Sequence, residues 1–279
     1  METYRSESEP VTHPIPEPAA AGSFDVNGHS LYWERYGAEG GWPVLLLHHG
    51  LGSIQSWNRQ IGALVHAGWN VLAYDRWGYG RSDPRQGFED NFLEKDAGEA
   101  LQLLGGIGLD HVSMVGHSDG GTIAMILAAE HPQLIDRLVV VAAHIYIEPK
   151  LEEGLTRIAQ VLENDSSANA FGRQHGEKAE ALASGWVDHW YRVGHKGLDI
   201  THLLPHIECP TLVIQGELDE YATPQQAYDI TDSVKDAQLW LIPDVGHMPP
   251  HEVPENFNQI VLGFLERDPL PTGTSSTPD

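Results

Sequence analysis

The sequence predicts an α/β domain: a largely parallel sheet covered on both faces by helices. Three observations predict it. Short apolar runs alternate with helix-length stretches in which apolar residues recur at helical spacing. A Gly-x-Ser-x-Gly turn stands directly between one such run and a helix. The chain, at 279 residues and 41% hydrophobic, is long enough to bury one large core.

The elements follow in order. The opening stretch METYRSESEPVTHPIPEPAA is rich in Pro, Glu and Ser, so residues 1–22 are expected to be a disordered lead-in. Ser23 to Tyr36 reads as a hairpin around Asn27-Gly28, a pair that favours tight two-residue turns. Six apolar runs then read as buried strands: Pro43–Leu47, Trp69–Tyr74, His111–Val115, Arg137–Ala142, Thr211–Gln215 and Gln238–Ile242. With the hairpin as an antiparallel edge they make eight strands. Helical spacing is found over Phe92–Leu104, Thr122–Ala129 and Glu255–Leu265.

The interval 144–205 holds no strand pattern. Leu151, Leu155, Ile158 and Leu162, then Ala179, Leu182 and Trp186, recur at helical spacing. This interval is expected to be a helical cap over one end of the sheet. The core would then comprise residues 23–143 and 206–267, followed by a flexible tail over 268–279.

Composition narrows the function. Sixteen Lys and Arg stand against forty Asp and Glu, a net charge of −24. Such a surface repels phosphate backbones and anionic lipid, so neither nucleic acid nor membrane is expected as a partner. No basic start leads into an apolar stretch, and a cytoplasmic location is expected. The single cysteine, Cys209, excludes an intramolecular disulfide and reads as a packed thiol. No His-Glu-x-x-His pattern occurs, and Pro205 interrupts any helix joining His202 to His206, so neither metal nor cofactor is expected.

The chemistry concentrates at Gly116-His117-Ser118-Asp119-Gly120-Gly121, between the strand HVSMV and the helix TIAMILAA. A serine at so sharp a turn needs small neighbours, and Gly116 and Gly120 supply them, so Ser118 is the expected nucleophile. A hydroxyl needs a base, and the base needs a carboxylate. Asp219, in Gly216-Glu217-Leu218-Asp219-Glu220 after a strand, is the expected acid, with Glu217 and Glu220 as alternatives. His247, on the Gly-containing loop after QLWLI, is the expected base, with His251 as the alternative. His48-His49-Gly50-Leu51-Gly52 follows PVLLL, and the backbone N–H groups of Leu51 and Asp119 are the expected oxyanion donors. His49 would orient that turn. Asp75–Ser82 (DRWGYGRS) reads as a structural turn with Trp77 against the pocket. Gly50 and Trp186 are also expected beside substrate.

These motifs, in this order from about Ser23 to Leu265, resemble the α/β-hydrolase superfamily. FLEKDAGEALQLL, SDGG, WVDHW and HLLPHIECPTLVIQGELD look most similar to its biphenyl hydrolase-like, or valacyclovir hydrolase, branch. The resemblance implies a Ser118–Asp219–His247 triad under a helical cap. It further implies that Asp119 recognises a substrate α-amino group, as in amino-acid esters. An aspartate in the first turn of a helix is also favourable without any ligand. The expected activity is cofactor-free serine hydrolysis of small carboxylic esters through an acyl-enzyme. The same scaffold also serves carbon–carbon bond hydrolases, perhydrolases or haloperoxidases, and non-catalytic receptors. An aspartate nucleophile, as in epoxide hydrolases and dehalogenases, is set aside because the elbow position holds Ser118.

Overall fold

The computed structural model describes residues 13–162, 165–193 and 197–266. An eight-stranded sheet forms its centre. The strands are β1 Ala20–Val26, β2 His29–Tyr36, β3 Trp42–Leu47, β4 Trp69–Tyr74, β5 Val112–His117, β6 Ile135–Val141, β7 Thr211–Gly216 and β8 Ala237–Ile242. Their spatial order is β1-β2-β4-β3-β5-β6-β7-β8. β1 and β2 are antiparallel, β2 pairs antiparallel to β4, and every pairing from β4 to β8 is parallel.

The period-2 alternation of strands sorts side chains onto two faces. Leu45, Leu47, Leu72 and Tyr74 join one core with Phe92, Leu103 and Ile126; Val44, Leu46, Val71 and Ala73 join the other with Ile61, Phe257 and Phe264. The first face is covered by α2 (Phe92–Ile107) and α3 (Asp119–Glu130), the second by α1 (Ile61–His66) and α9 (Pro254–Leu265). In α3 every residue except Glu130 is buried, which explains its apolar run without a polar stripe.

Between β6 and β7 lie three helices, α4 Lys150–Leu162, α5 Asp165–His175 and α6 Ala179–Val193. Leu151, Leu155, Leu182, Trp186 and Trp190 continue the core of the α2/α3 face. α7 (Pro224–Ser233) and α8 (Pro249–Glu252) flank the last strand.

The chain runs from β3 to β4 on one side and returns to β5 on the other, so the strand order reverses between β3 and β5. Crevices at the carboxyl ends of strands open at such a reversal. The segments after β3, β5, β7 and β8 all leave from that end.

Some expected boundaries shift. β1 begins at Ala20, inside the expected lead-in, where Ala20, Ala21 and Gly22 pair with Arg35, Glu34 and Trp33. Backbone pairing carries these small residues, which give no apolar signal. Among the described residues the interval 144–205 holds three α-helices where the spacing indicated two. In the polar α5, DSSANAFGRQH, Phe171 packs partly buried against the core and His175 is buried, with no apolar spacing to announce a helix. Residues 1–12 of the lead-in and the 268–279 tail lie outside the described residues.

Candidate active site

Ser118 sits at the turn from β5 into α3 with φ +54° and ψ −121°, a backbone conformation that costs a non-glycine residue energy. Tight packing enforces it. A Cβ on Gly116 would strike the Gly120 carbonyl, and one on Gly120 would strike the carbonyls of Leu47 and His48. The Ser118 N–H donates to the Val141 carbonyl at 2.8 Å, tying the turn to β6.

The loop after β8 brings His247 to this turn. Its Nε2 lies 3.0 Å from Ser118 Oγ, and its Nδ1 lies 2.7 Å from Asp219 Oδ2. A carboxylate only accepts, so Nδ1 carries the proton and Nε2 is left to accept from the hydroxyl. Asp219, after β7, also accepts from Gln215 Nε2 at 2.8 Å and from the Tyr221 N–H at 2.8 Å. Burial pushes the Asp219 carboxyl up, but the His247 ring and these donors outweigh it and hold the group below its ordinary range. Burial likewise pushes His247 down; the Asp219 charge and hydrogen bond prevail and raise it. A hydroxyl, an imidazole and a carboxylate in this order can move a proton off the oxygen as that oxygen attacks.

The alternatives stand elsewhere. Glu217 is exposed. Glu220 accepts the His247 backbone N–H at 2.9 Å, and His251 donates from Nε2 to the Ser56 carbonyl at 2.9 Å. Two further residues that the sequence did not single out hold the His247 loop. Glu252 accepts from the Gly246 and Met248 N–H groups, both at 2.9 Å. His117 Nε2 donates to the His247 carbonyl at 2.8 Å. His117 stands at the variable position before the serine, which the motif itself does not constrain.

The turn after β3 is closed by the Gly52 N–H donating to the His49 carbonyl at 3.1 Å, a bond that does not use the Leu51 amide. Leu51 has φ +60°. Asp119 opens α3, where amides have no intrahelical partner. His49 lies within the turn, its Nδ1 2.5 Å from the Gly50 carbonyl and its Nε2 3.1 Å from Ser56 Oγ.

The Asp119 side chain is buried. Its Oδ2 accepts from Trp186 Nε1 at 2.9 Å and lies 3.6 Å from Arg76 Nη2, while Oδ1 has no hydrogen-bond partner among the described residues. Burial raises its pKa, opposed by Arg76 and Trp186. Trp186 of α6 also lies on Gly50, where a Cβ would come within 2.6 Å of its ring. One tryptophan of α6 thus touches both the Ser118 turn and the turn after β3. Trp77 is not part of this arrangement. Its ring stacks on His29 and under Arg85, and its Nε1 donates to the Pro84 carbonyl. The residue that reaches inward from this loop is its neighbour Arg76, which is buried and lies beside Asp119. Cys209 is buried, and burial pushes its thiol up to about 11, the state of a packed, unreactive sulfur.

Comparison with known proteins agrees with this architecture. Residues 43–192 match the family model described as the alpha/beta hydrolase fold. The mouse (Mus musculus) protein serine hydrolase BPHL is 31% identical over 250 residues, covering 86% of this chain and 84% of its own. A 2-hydroxy-6-oxononadienedioate/2-hydroxy-6-oxononatrienedioate hydrolase from a Pseudomonas species is 26% identical, covering 82% of this chain and 90% of its own. Among solved structures, a hydrolase from Pseudomonas aeruginosa superposes with a TM-score of 0.71 at 25% identity, over 89% of this chain and 99% of the other. The chain belongs to the alpha/beta hydrolase family.

Proposed function

We propose that this hydrolase cleaves small carboxylic esters through an acyl-enzyme, with Ser118 as nucleophile, His247 as general base and Asp219 as its anchor. The observation that carries the reading is the unbroken hydrogen-bond chain from Ser118 Oγ through His247 to Asp219. Ser118 Oγ attacks the ester carbonyl while its proton passes to His247 Nε2. The Leu51 and Asp119 amides stabilise the resulting oxyanion. His247 returns the proton to the departing alkoxide, and water then repeats the sequence to release the acid.

The substrate's cationic end is proposed to meet Asp119. Its unpartnered Oδ1 is a buried acceptor one residue from the nucleophile, suited to an ammonium next to the scissile carbonyl. Amino-acid esters have that layout. A cavity of about 580 Å³ between α4, α6 and the segment after β6, lined by Tyr146, Leu151, Leu155 and Trp190, gives room for the rest of the molecule. It is two rings from the base: Trp190 is 5.9 Å from His144, and His144 is 6.2 Å from His247.

The test is an ester panel of varied acyl length and charge on wild type and Ser118→Ala. Turnover lost in Ser118→Ala, with amino-acid esters preferred over their N-acylated forms and Asp119→Ala erasing that preference, is expected. Equal loss on both substrate forms in Asp119→Ala would remove the ammonium subsite. Turnover confined to a vinylogous diketone would replace ester cleavage with carbon–carbon cleavage.

A further inference from the structure

Leu51 is a bulky residue at φ +60°, in the left-handed region that costs such a side chain energy. A strained residue holds its conformation only where the surroundings over-determine it. Here the surroundings are two side chains from distant parts of the chain, each bonded to a carbonyl of the same turn.

The first is Arg76, from the loop after β4 and wholly buried. Its Nη2 donates to the His49 carbonyl at 3.2 Å and lies 3.6 Å from Asp119 Oδ2. Its backbone N–H donates to His48 Nε2 at 3.1 Å. The guanidinium is itself fixed: Nη1 donates to Asp96 Oδ2 at 2.9 Å, and the group lies 4.4 Å over the Tyr79 ring. Asp96 is clamped in turn by Arg85 Nη1 at 2.8 Å.

The second is His175, at the end of α5 in the cap. The Gly80 N–H donates to its Nδ1 at 2.9 Å, so the ring proton lies on Nε2, which donates to the Leu51 carbonyl at 3.1 Å. The neighbouring Gln174 donates from Nε2 to Ser53 Oγ at 2.6 Å, fastening the same loop.

We propose that Arg76 and His175 are positioning residues that pin the oxyanion turn by its His49 and Leu51 carbonyls and so hold the Leu51 amide toward the scissile carbonyl. The proposal rests on the ester-hydrolase reading above. Arg76 does more than brace the turn. Because it also faces Asp119, one guanidinium links the turn that carries the Leu51 amide, through the His49 carbonyl, to the residue that carries the other donor. A preorganised donor gains its value in the transition state and little in the ground state. Loosening the pins should therefore lower kcat and leave KM in place.

The experiment compares wild type with Arg76→Lys, His175→Phe and His175→Gln. Each is assayed on a neutral aryl ester and with two inhibitors: a trifluoromethyl ketone, which forms a tetrahedral adduct, and the product carboxylate. Removing an oxyanion donor outright costs about 10²–10³ in kcat, so displacing one should cost about tenfold. The expected result is a kcat loss of that size in Arg76→Lys and His175→Phe at unchanged KM. Trifluoromethyl ketone binding should weaken by the same factor and product binding should hold. His175→Gln, which can still donate to the Leu51 carbonyl, should recover part of the loss. Folded variants with wild-type kcat, even at a lowered melting temperature, would overturn the proposal, and so would weakening of both inhibitors alike. Should Arg76→Lys fail to fold, the His175 pair decides alone. Absence of ester turnover in the wild type would instead overturn the underlying reading.

Discussion

At the scale of single residues, the account turns on one imidazole. In the proposed mechanism His247 must be neutral to take the Ser118 proton, and its pKa is raised above the ordinary 6.5 by Asp219 despite burial. Raising the pKa of a base extends its protonated, inactive form to higher pH. The acid limb of kcat/KM should therefore have its midpoint above 6.5, and Asp219→Asn should move it down. The same substitution removes the acceptor that fixes the Nδ1–H tautomer, so kcat should fall by about 10⁴-fold. Steady-state rates from pH 5 to 9 check both; an acid limb unmoved by Asp219→Asn would contradict the assigned partner. That Ser118, Asp219 and His247 come together was legible because each follows an apolar run in an order tied to this architecture. Arg76, His117 and His175 were not, because their partners lie far along the chain: His117 meets the His247 carbonyl, and His175 meets Leu51. A sequence without coordinates does not say which of two neighbours faces inward.

At the scale of elements, strands were read well because those buried on both faces are continuous apolar runs. β4, Trp69–Tyr74, was read to its ends. Helix ends were harder. α3 begins at Asp119 rather than Thr122, since the glycines that let it pass β5 closely carry no helical signal. The contact between cap and core yields the element-scale prediction. A methyl on Gly50 would stand 2.6 Å from the Trp186 ring, so Gly50→Ala should force α6 outward. Overpacking of this kind costs about 1–3 kcal/mol. Chemical denaturation should show that loss in Gly50→Ala. The double variant Gly50→Ala/Trp186→Ala should be destabilised by less than the sum of the single changes, because Trp186→Ala removes the clash. Strict additivity would mean that the two residues do not meet.

At the scale of the whole molecule, the site is assembled from the carboxyl ends of β3, β5, β7 and β8, with Trp186 of α6 packed against Asp119 and Gly50. Burial there has a thermodynamic consequence. Burial pushes His49 down to about 3 and His144 to about 4, and holds His117 well below its ordinary value. For these groups the unfolded chain binds protons that the folded protein refuses. Their contribution to stability is complete above about pH 6.5 and is lost as pH falls toward 4. Among the described imidazoles with shifted values His247 has the opposite sign, its contribution lost as pH rises through its raised folded pKa, while His48, His175, His189 and His251 join the lowered group. The unfolding midpoint in urea should therefore drop between pH 7 and pH 5, and His144→Gln should flatten that slope; a midpoint that rises on acidification would contradict the neutral-imidazole interior. What binds these observations together is the proposal that Ser118 becomes covalently acylated. Rapid quenching during turnover of an aryl ester, followed by intact and peptide mass measurement, reads this directly. The account expects a mass gain equal to the acyl group on the peptide containing Ser118, absent in Ser118→Ala. Undiminished turnover in Ser118→Ala with no adduct on the wild-type serine would contradict it.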